Sequence, residues 1–274
     1  RIMFREDEEV SVLLQAALVK DGIRVMTESQ ALCCGINDGV KWIEIEHKSE
    51  KTFISFDDII IAVGRSPRLE NLGLEKLGIS MNHIFETNEY LETIYPNILA
   101  AGDVVGRYKF THVAGHQAWF ATVNALFGNV KRFKPDYRVI PWAIFTDPEI
   151  ARVGLSEFEA NEKGILFEVT RYRFGDLDRA LVDGITEGFV KVLTVPGKDR
   201  ILGVTIVAAH AADLIAEFVL AMKSGLGLNK ILETIHIYPT LVEINKSVAG
   251  KWRSAHINET FLEFSKRFNG WNRG

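Results

Sequence analysis

A carboxylate that directly follows a short apolar run is the first candidate for chemistry in this chain. Residues 98–101 read Ile-Leu-Ala-Ala after a Pro-Asn pair, and Gly102 and Asp103 come next. This pattern predicts a buried parallel strand, and ligands of open α/β sheets bind beyond the carboxyl ends of such strands. A helix predicted from Thr111 to Phe127 directs its positive N-terminus towards the same space. Asp103 is therefore predicted to accept hydrogen bonds from a sugar or sugar-alcohol hydroxyl of a cofactor.

A second candidate is a turn that carries a guanidinium. The run Ile59–Val63 predicts a buried strand that ends in Gly64-Arg65-Ser66-Pro67. Such a turn exposes backbone groups and places Arg65 at the edge of a sheet. Val63, Gly64 and Arg65 are thus candidates for contact with a phosphate or a nicotinamide, although a surface turn without a ligand fits the same spacing.

No G-x-G-x-x-G loop, the usual phosphate cradle of a dinucleotide site, occurs in the 274 residues. The nearest approach, Gly225-Leu226-Gly227, lacks the third glycine. A sugar contact without a pyrophosphate loop leads us to expect that the chain begins partway through a larger protein. Its first residue, Arg1, agrees with that expectation.

Composition excludes several classes of function. The net charge of -4, from 32 Lys and Arg against 36 Asp and Glu, predicts no nucleic-acid partner. No apolar run approaches the roughly 20 residues needed to span a bilayer, so no membrane contact is predicted and a cytoplasmic location is favoured.

The only cysteines, Cys33 and Cys34, exclude a disulfide framework and a C-x-x-C zinc or redox motif. They form either a strained vicinal disulfide or, as we favour, two small strand residues. No metal site is predicted.

The elements that must position these residues follow from hydrophobic periodicity. The first half is predicted to contain a helix at Glu6–Lys20 and a meander of strands at Ile23–Leu32, Lys41–Glu46 and Thr52–Phe56. The second half is predicted to contain strands at Val139–Phe145, Phe167–Tyr172, Phe189–Val195 and Ile201–Val207 and a helix at Ala211–Ser224. A terminal helix is predicted within Ser254–Gly274. The second half is therefore expected to be an antiparallel sheet with helices packed against it.

Four motifs in fixed order carry a resemblance that covers nearly the whole chain. They are Ala62–Pro67, the Gly102-Asp103 pair, Phe145–Gly154 and His236–Glu243. With them the chain resembles the C-terminal half of flavin-dependent pyridine nucleotide-disulfide oxidoreductases, such as dihydrolipoamide dehydrogenase, glutathione reductase and mercuric reductase.

The resemblance implies an α/β and α+β fold in three parts. Residues 1–67 would be the end of an NAD(P)-binding Rossmann-like domain and residues 68–137 part of the FAD-binding domain. Residues 138–274 would form an α+β dimerisation domain with an antiparallel sheet, which pairs with a second copy of the chain.

The resemblance also assigns cofactor contacts. Gly102 and Asp103 would bind the ribityl chain of FAD, and Phe110, Thr111 and His112 would approach the flavin ring. The dipole of the helix would then stabilise negative charge on reduced flavin. NAD(P)H would supply the hydride, and the isolated chain is expected to be colourless and inactive.

The C-terminal motif departs from the pattern of the family. Disulfide reductases place an acid-base histidine immediately before Pro-Thr, with a glutamate five positions on to hold it, whereas this chain has Tyr238 and Glu243. A phenol has an ordinary pKa of about 10, poorly matched to proton transfer near neutrality. His236, predicted on the same side of an extended segment, is an alternative acid-base group. Thr240 and Glu243 also form a capping box, so Glu243 has either or both roles.

Three functions stay open from the sequence. The first is part of an FAD-dependent oxidoreductase that passes hydride from NAD(P)H to a disulfide, a metal or another acceptor. Tyr238 favours its mercuric reductase-like branch, but that branch ends in a cysteine pair and residues 269–274 contain no thiol. The second is a non-catalytic dimerisation or interaction module, and the third is a degenerate family member.

Overall fold

The computed structural model describes residues 1–78, 85–106 and 108–257. The predicted terminal helix lies largely outside these residues, because only 254–257 of its span are described. The described chain divides into two compact units, one of residues 1–56 with 139–274 and the other of residues 57–138. The three-domain division drawn from the sequence stays a prediction.

The larger unit begins with helix α1, Glu8–Lys20, two residues later than predicted. Acidic Glu8 and Glu9 lie in its first turn and Lys20 in its last, as the helix dipole favours. Asp21 ends the helix, and Gly22 follows at φ 84°. The signals in the sequence therefore specify this helix well.

A three-stranded antiparallel meander follows α1. Its strands, in order along the chain and across the sheet, are β1 (Ser29–Asn37), β2 (Val40–His47) and β3 (Glu50–Phe56). The prediction of a first strand at Ile23–Leu32 was wrong at both ends, because the strand follows its pairing with β2. That pairing runs from Ser29, opposite His47, to Asn37, opposite Val40 beside the Asp38-Gly39 turn. Cys33 and Cys34 lie within β1 as free, exposed thiols. The interpretation as small strand residues is therefore confirmed, and the vicinal disulfide was wrong.

Helix α2, Thr111–Phe127, has the bounds that the sequence predicts and belongs to the smaller unit. The same unit contains two short 3-10 turns, Leu74–Leu77 and Gly102–Val105.

Both apolar runs of the smaller unit were predicted as buried strands, and both predictions were wrong. Ile60 and Val63 are 92% and 93% exposed, and Ile59–Val63 has no strand conformation. The run 98–101 makes one isolated bridge, between Leu99 and Glu92. A parallel strand takes its hydrogen bonds and its burial from neighbouring strands, and none of the described residues supplies such a neighbour.

The second half of the chain forms a five-stranded antiparallel sheet, as predicted. Its strands are β4 (Pro141–Ile144), β5 (Glu149–Gly154), β6 (Glu168–Arg173), β7 (Phe189–Thr194) and β8 (Ile201–Ala208). Their order across the sheet is β4-β5-β8-β7-β6. The central strands β5, β7 and β8 are almost continuously buried.

Helices cover this sheet. They are α3 (Glu157–Glu162), α4 (Asp178–Asp183), α5 (Ala211–Leu214), α6 (Ala216–Lys223), α7 (Leu228–Glu233) and α8 (Glu243–Ala255). The single helix predicted at Ala211–Ser224 is two helices, α5 and α6, divided at Ile215, which keeps a helical backbone conformation.

Strand alternation divides the sheet into two faces. Val190, Val192, Val204 and Ile206 belong to the main core with the helices, whereas Val207 and Ile150 pack with Val10 and Leu14 of α1. Helix α1 thus packs against the face of the sheet opposite the main core.

Candidate functional site

The Gly102-Asp103 pair lies in a 3-10 turn that is fixed on helix α2. Gly102 has φ 82°, and a Cβ atom there would lie 3.2 Å from the Cβ of Ala114. Its backbone N–H donates to Oε1 of Gln117 at 2.7 Å. Positive φ and close approach both favour glycine, so this residue holds the turn against the helix and sets the place of half-buried Asp103.

Gln117 was not identified from the sequence. It is buried, and its amide nitrogen donates to the hydroxyl of Tyr137 at 2.9 Å. The sequence did contain a signal for it: Gln117 is a polar residue on the apolar face of a predicted helix, and a buried polar side chain requires a hydrogen-bond partner. The position of Asp103 thus depends on a side chain in the second turn of α2.

The first turn of α2 presents the other predicted flavin contacts. Phe110 is the N-cap residue and makes no side-chain hydrogen bond to the helix amides. Its ring stacks on that of His112, with centroids 5.3 Å apart and planes 12° apart. Thr111 and His112 are exposed. The positive end of the helix dipole is therefore accessible beside an aromatic pair.

The Val63-Gly64-Arg65 turn is joined to the same region. Nζ of Lys109 donates to the carbonyl oxygen of Arg65 at 2.6 Å. The structure therefore brings the backbone of Arg65 next to the residue that precedes Phe110, although the two are more than 40 residues apart in sequence. This contact links the Arg65 turn to the start of α2 within the smaller unit.

Tyr238, in the larger unit, is 67% exposed in the loop before α8. Its hydroxyl donates to Oδ2 of Asp178 at 2.9 Å. This hydrogen bond, followed by the charge of the same carboxylate, raises the pKa of Tyr238 above its ordinary value of 10.0. The structure thus makes the phenol a weaker acid, not a stronger one.

His236 lies two residues before Tyr238 and has the opposite environment. Its side chain is 5% exposed. Nδ1 lies 3.0 Å from the carbonyl oxygen of Thr234, and Nε2 lies 3.1 Å from both carboxylate oxygens of Glu217. Both ring nitrogens face acceptors, so the imidazole fastens the loop to α6.

Glu217 also accepts from Nδ2 of Asn245, at 3.0 Å, and the same nitrogen reaches the carbonyl oxygen of Leu214. The loop, α5, α6 and α8 therefore share one buried polar network. Neither Glu217 nor Asn245 was identified from the sequence, because both contacts join elements distant in the chain.

Glu243 begins α8 and accepts from the backbone N–H of Thr240 at 3.1 Å. The reciprocal half of the predicted capping box does not form, since the hydroxyl of Thr240 donates to the carbonyl oxygen of Ile237 at 2.6 Å. The Tyr238 hydroxyl donates to Asp178 and makes no hydrogen bond to Glu243. Glu243 therefore supports the start of the helix.

A cluster of charges lies apart from these residues. Carboxylate oxygens of Asp7, Glu9 and Glu157 lie within 4.8 Å of one another, a spacing that could hold a cation. The ammonium of Lys191 already contacts all three. The cluster is thus a buried ion network with its own cation.

Within the part of the chain that the structure describes, no helix is long and apolar enough to cross a membrane.

Comparison with known proteins assigns both halves of the chain. The family model for pyridine nucleotide-disulphide oxidoreductases matches residues 1–118. The model for the dimerisation domain of the same family matches residues 140–249.

Curated relatives and solved structures agree with these matches. Dihydrolipoyl dehydrogenase of Staphylococcus aureus is 32% identical over 247 residues, which are 89% of this chain and 52% of the relative. That of Bacillus subtilis is 34% identical over 248 residues, with the same shares. The chain therefore spans about half the length of these curated relatives.

Two solved structures show the fold. The HOCl-induced flavoprotein disulfide reductase RclA of Escherichia coli has a TM-score of 0.82 at 23% identity, covering 91% of this chain and 57% of its own. LpdA of Mycobacterium tuberculosis has a TM-score of 0.81 at 22% identity, with coverage of 90% and 53%. The predicted fold class, with parts of Rossmann-like domains before an antiparallel dimerisation domain, is confirmed.

Proposed function

Because the chain belongs to the pyridine nucleotide-disulphide oxidoreductase family, we propose that it is the C-terminal part of an enzyme that passes hydride from NAD(P)H through FAD to an acceptor. One observation carries the proposal: the Gly102-Asp103 turn is held against α2 by Gln117. This arrangement presents a carboxylate beside the positive end of a helix dipole.

The residues present fit a flavin. Gly102 lies so close to Ala114 that the turn follows the surface of α2, and Asp103 stands half-buried at its edge. A carboxylate of this kind accepts from ribityl hydroxyls. Phe110, Thr111 and His112 supply an aromatic surface and the first amides of α2, groups suited to the ring system.

When bound, FAD supplies two-electron hydride chemistry. In this proposal Asp103 binds and orients the ribityl chain, and the N-terminus of α2 stabilises negative charge that develops on the ring. Val63, Gly64 and Arg65 form the contact with the nicotinamide nucleotide, and the contact between Lys109 and Arg65 keeps the turn beside α2.

The environment of Tyr238 bears on which class of electron acceptor the enzyme would reduce. Its raised pKa and its hydrogen bond to Asp178 leave it poorly suited to protonate a thiolate near neutrality. His236 is engaged at both ring nitrogens and almost wholly buried. We therefore propose that Tyr238 acts as a hydrogen-bonding residue, with His236 and Glu243 as positioning residues of its loop. A metal or quinone-like acceptor then fits better than a disulfide.

The partner is proposed to be a second copy of the chain. Ile235 and Ile237 are 94% and 78% exposed beside Tyr238, within the part that matches the dimerisation domain. Exposed apolar residues of this size favour burial in an interface. A homodimer would cover them and bring Tyr238 to the site of the partner.

Substitution of Asp103 tests the flavin site in the full-length protein. Removal of a hydrogen bond to a charged group costs about 1.5–3 kcal/mol, so Asp103→Ala should weaken FAD binding by about ten- to a hundredfold. Flavin absorbance after dialysis, and titration of the apoprotein with FAD, measure the change.

The matched control is Glu89→Gln, which neutralises an exposed carboxylate of the same unit that pairs with Lys134. It should retain FAD as the wild type does. Equal FAD affinity in Asp103→Ala and in the wild type would contradict the proposed site.

A further inference from the structure

A network of charges outside the proposed site joins the start of α1 to the five-stranded sheet. Lys191 of β7 is 0% exposed, and its ammonium lies 2.5 Å from Asp7, 2.5 Å from Glu9 and 2.8 Å from Glu157. Two of the three carboxylates therefore come from the beginning of α1. The burial of Lys191 is compatible with its charge only while these carboxylates stay in place.

Asp7 makes contacts beyond Lys191. Its carboxylate accepts from the backbone N–H of Glu157, at 3.3 Å, and of Phe158, at 3.1 Å. These are the first two amides of α3, whose own cap, Ser156, serves the amide of Glu159. One side chain thus satisfies three donors, all from residues about 150 or more positions away.

Glu6, the residue before Asp7, makes a second ion pair with the sheet. A carboxylate oxygen of Glu6 lies 2.9 Å from Nε of Arg152, which is 3% exposed. Arg152 is held independently, because its guanidinium also pairs with Glu159 at 2.7 Å and lies 4.2 Å from the ring centroid of Trp142. Loss of Glu6 would therefore leave Arg152 with partners.

Apolar side chains also join α1 to the sheet, in a cluster with fully buried and partly buried members. Its fully buried members are Val10 and Leu14 of the helix with Ile150 and Val207 of the sheet. Residues 1–118 match one family model and residues 140–249 match the dimerisation domain. The charged network therefore joins a helix of one module to the sheet of the other.

We propose that Asp7 is a positioning residue: through Lys191 and α3 it attaches helix α1 to the dimerisation sheet and thereby fixes residues 21–56, which follow α1 in the same compact unit and belong to the predicted NAD(P)-binding part. The part concerning the nucleotide rests on the proposed function. Asp7 is the decisive carboxylate because it is 7% exposed and has three donors, whereas the side chain of Glu9 is 33% exposed. Without Asp7, the first amides of α3 and the ammonium of Lys191 lose a buried acceptor together.

Hydrogen exchange followed by mass spectrometry tests the attachment in the full-length protein. In Asp7→Asn the amides of residues 8–20 and of the first turn of α3 should exchange at least about tenfold faster, while β7 and β8 stay protected. Glu9→Gln removes one partner of Lys191 but leaves α3 capped, so a smaller increase confined to α1 is expected.

The matched control is Lys20→Ala, which removes an exposed ion pair with Glu187 at the other end of α1. It should leave exchange unchanged. Unchanged protection of residues 8–20 in Asp7→Asn would overturn the attachment. So would equal loss of protection in β7 and β8, since Asp7 would then support the sheet as a whole.

Steady-state kinetics of the full-length holoenzyme test the positioning. Asp7→Asn should raise KM for NAD(P)H at least about fivefold, with FAD content and kcat at saturating nucleotide near the wild-type values. Asp7→Glu should restore part of the affinity. Faster hydrogen exchange of α1 in Asp7→Asn together with an unchanged KM for NAD(P)H would refute the positioning role. A wild type that oxidises no NAD(P)H would instead refute the proposed function, and the exchange experiment would still decide the attachment.

Discussion

Tyr238 and His236 stand two residues apart and meet opposite environments. The phenol is mostly exposed and donates to Asp178, whereas the imidazole is enclosed between Thr234 and Glu217. An acid-base group has to reach the reacting atoms and titrate near the working pH. The exposed residue, Tyr238, has a pKa raised by Asp178, and the imidazole of His236 is enclosed, so neither meets both requirements in the way that the proposed function would need for a disulfide acceptor.

Replacement of Tyr238 by histidine tests this interpretation. General acid-base catalysis is worth about a hundred- to ten-thousandfold, so Tyr238→His should raise turnover of a disulfide such as lipoamide by tenfold or more. Turnover of a quinone should change little. The assay is the steady-state rate of NAD(P)H oxidation by the full-length enzyme with each acceptor.

Tyr238→Phe is the control, because it removes the hydroxyl without adding an imidazole. It should not increase disulfide turnover. A wild type that already reduces lipoamide faster than quinones would show that the phenol does not limit thiol chemistry.

At the scale of elements, helix α2 organises the proposed flavin site from its buried face. Gln117 accepts from Gly102 and donates to Tyr137, so one amide ties a turn and a later loop to the helix. A buried backbone N–H rarely stays without an acceptor. The turn should therefore depend on this side chain as much as on its glycine.

Gln117→Ala should destabilise the chain by about 1–3 kcal/mol, the cost of a buried donor without a partner. Thr122→Ala, on the exposed side of α2, should change stability by no more than about 0.5 kcal/mol. Urea denaturation followed by circular dichroism measures both. Equal stability of the two variants would show that another group takes over the Gly102 amide.

At the scale of the whole molecule, the neighbouring carboxylates Asp7 and Glu6 should make the free energy of unfolding depend on pH in opposite ways. Burial raises the pKa of Asp7, but the hydrogen bonds from Lys191 and two α3 amides outweigh it and leave the pKa below 3.8. Burial raises the pKa of Glu6 above 4.5 against the opposing charge of Arg152. The signs follow from linkage between proton binding and folding.

The contribution of Asp7 is present above 3.8 and is lost as pH falls through its pKa in the folded chain. The contribution of Glu6 is present below 4.5 and is lost as pH rises through its raised pKa. The stability advantage of the wild type over Asp7→Asn should therefore shrink on acidification, whereas its advantage over Glu6→Gln should grow.

Urea midpoints for the three proteins at a series of pH values between about 3 and 7 measure these slopes. Parallel curves for the wild type and Asp7→Asn would mean that Asp7 is not held by Lys191 in solution. This outcome would also weaken the case for α1 attachment.

The sequence by itself determined the elements whose signals are local. Periodicity and end signals specify α1 and α2, and alternation with turn residues specifies the antiparallel strands of the second half, because neighbouring residues decide these patterns. The motifs likewise indicated the family from residue types in order. Buried strands at Ile59–Val63 and at residues 98–101 failed because a parallel strand depends on distant neighbours.

Only the tertiary structure decided which side chains meet. Tyr238 donates a hydrogen bond to Asp178, 60 positions away, and Lys191 donates one to Asp7, 184 positions away. The first contact raises the pKa of the phenol, and the second joins α1 to the sheet. Glu217 likewise holds His236 away from solvent across 19 positions. The physical reason is that burial and electrostatic partners belong to the packed chain and leave no local pattern in the sequence.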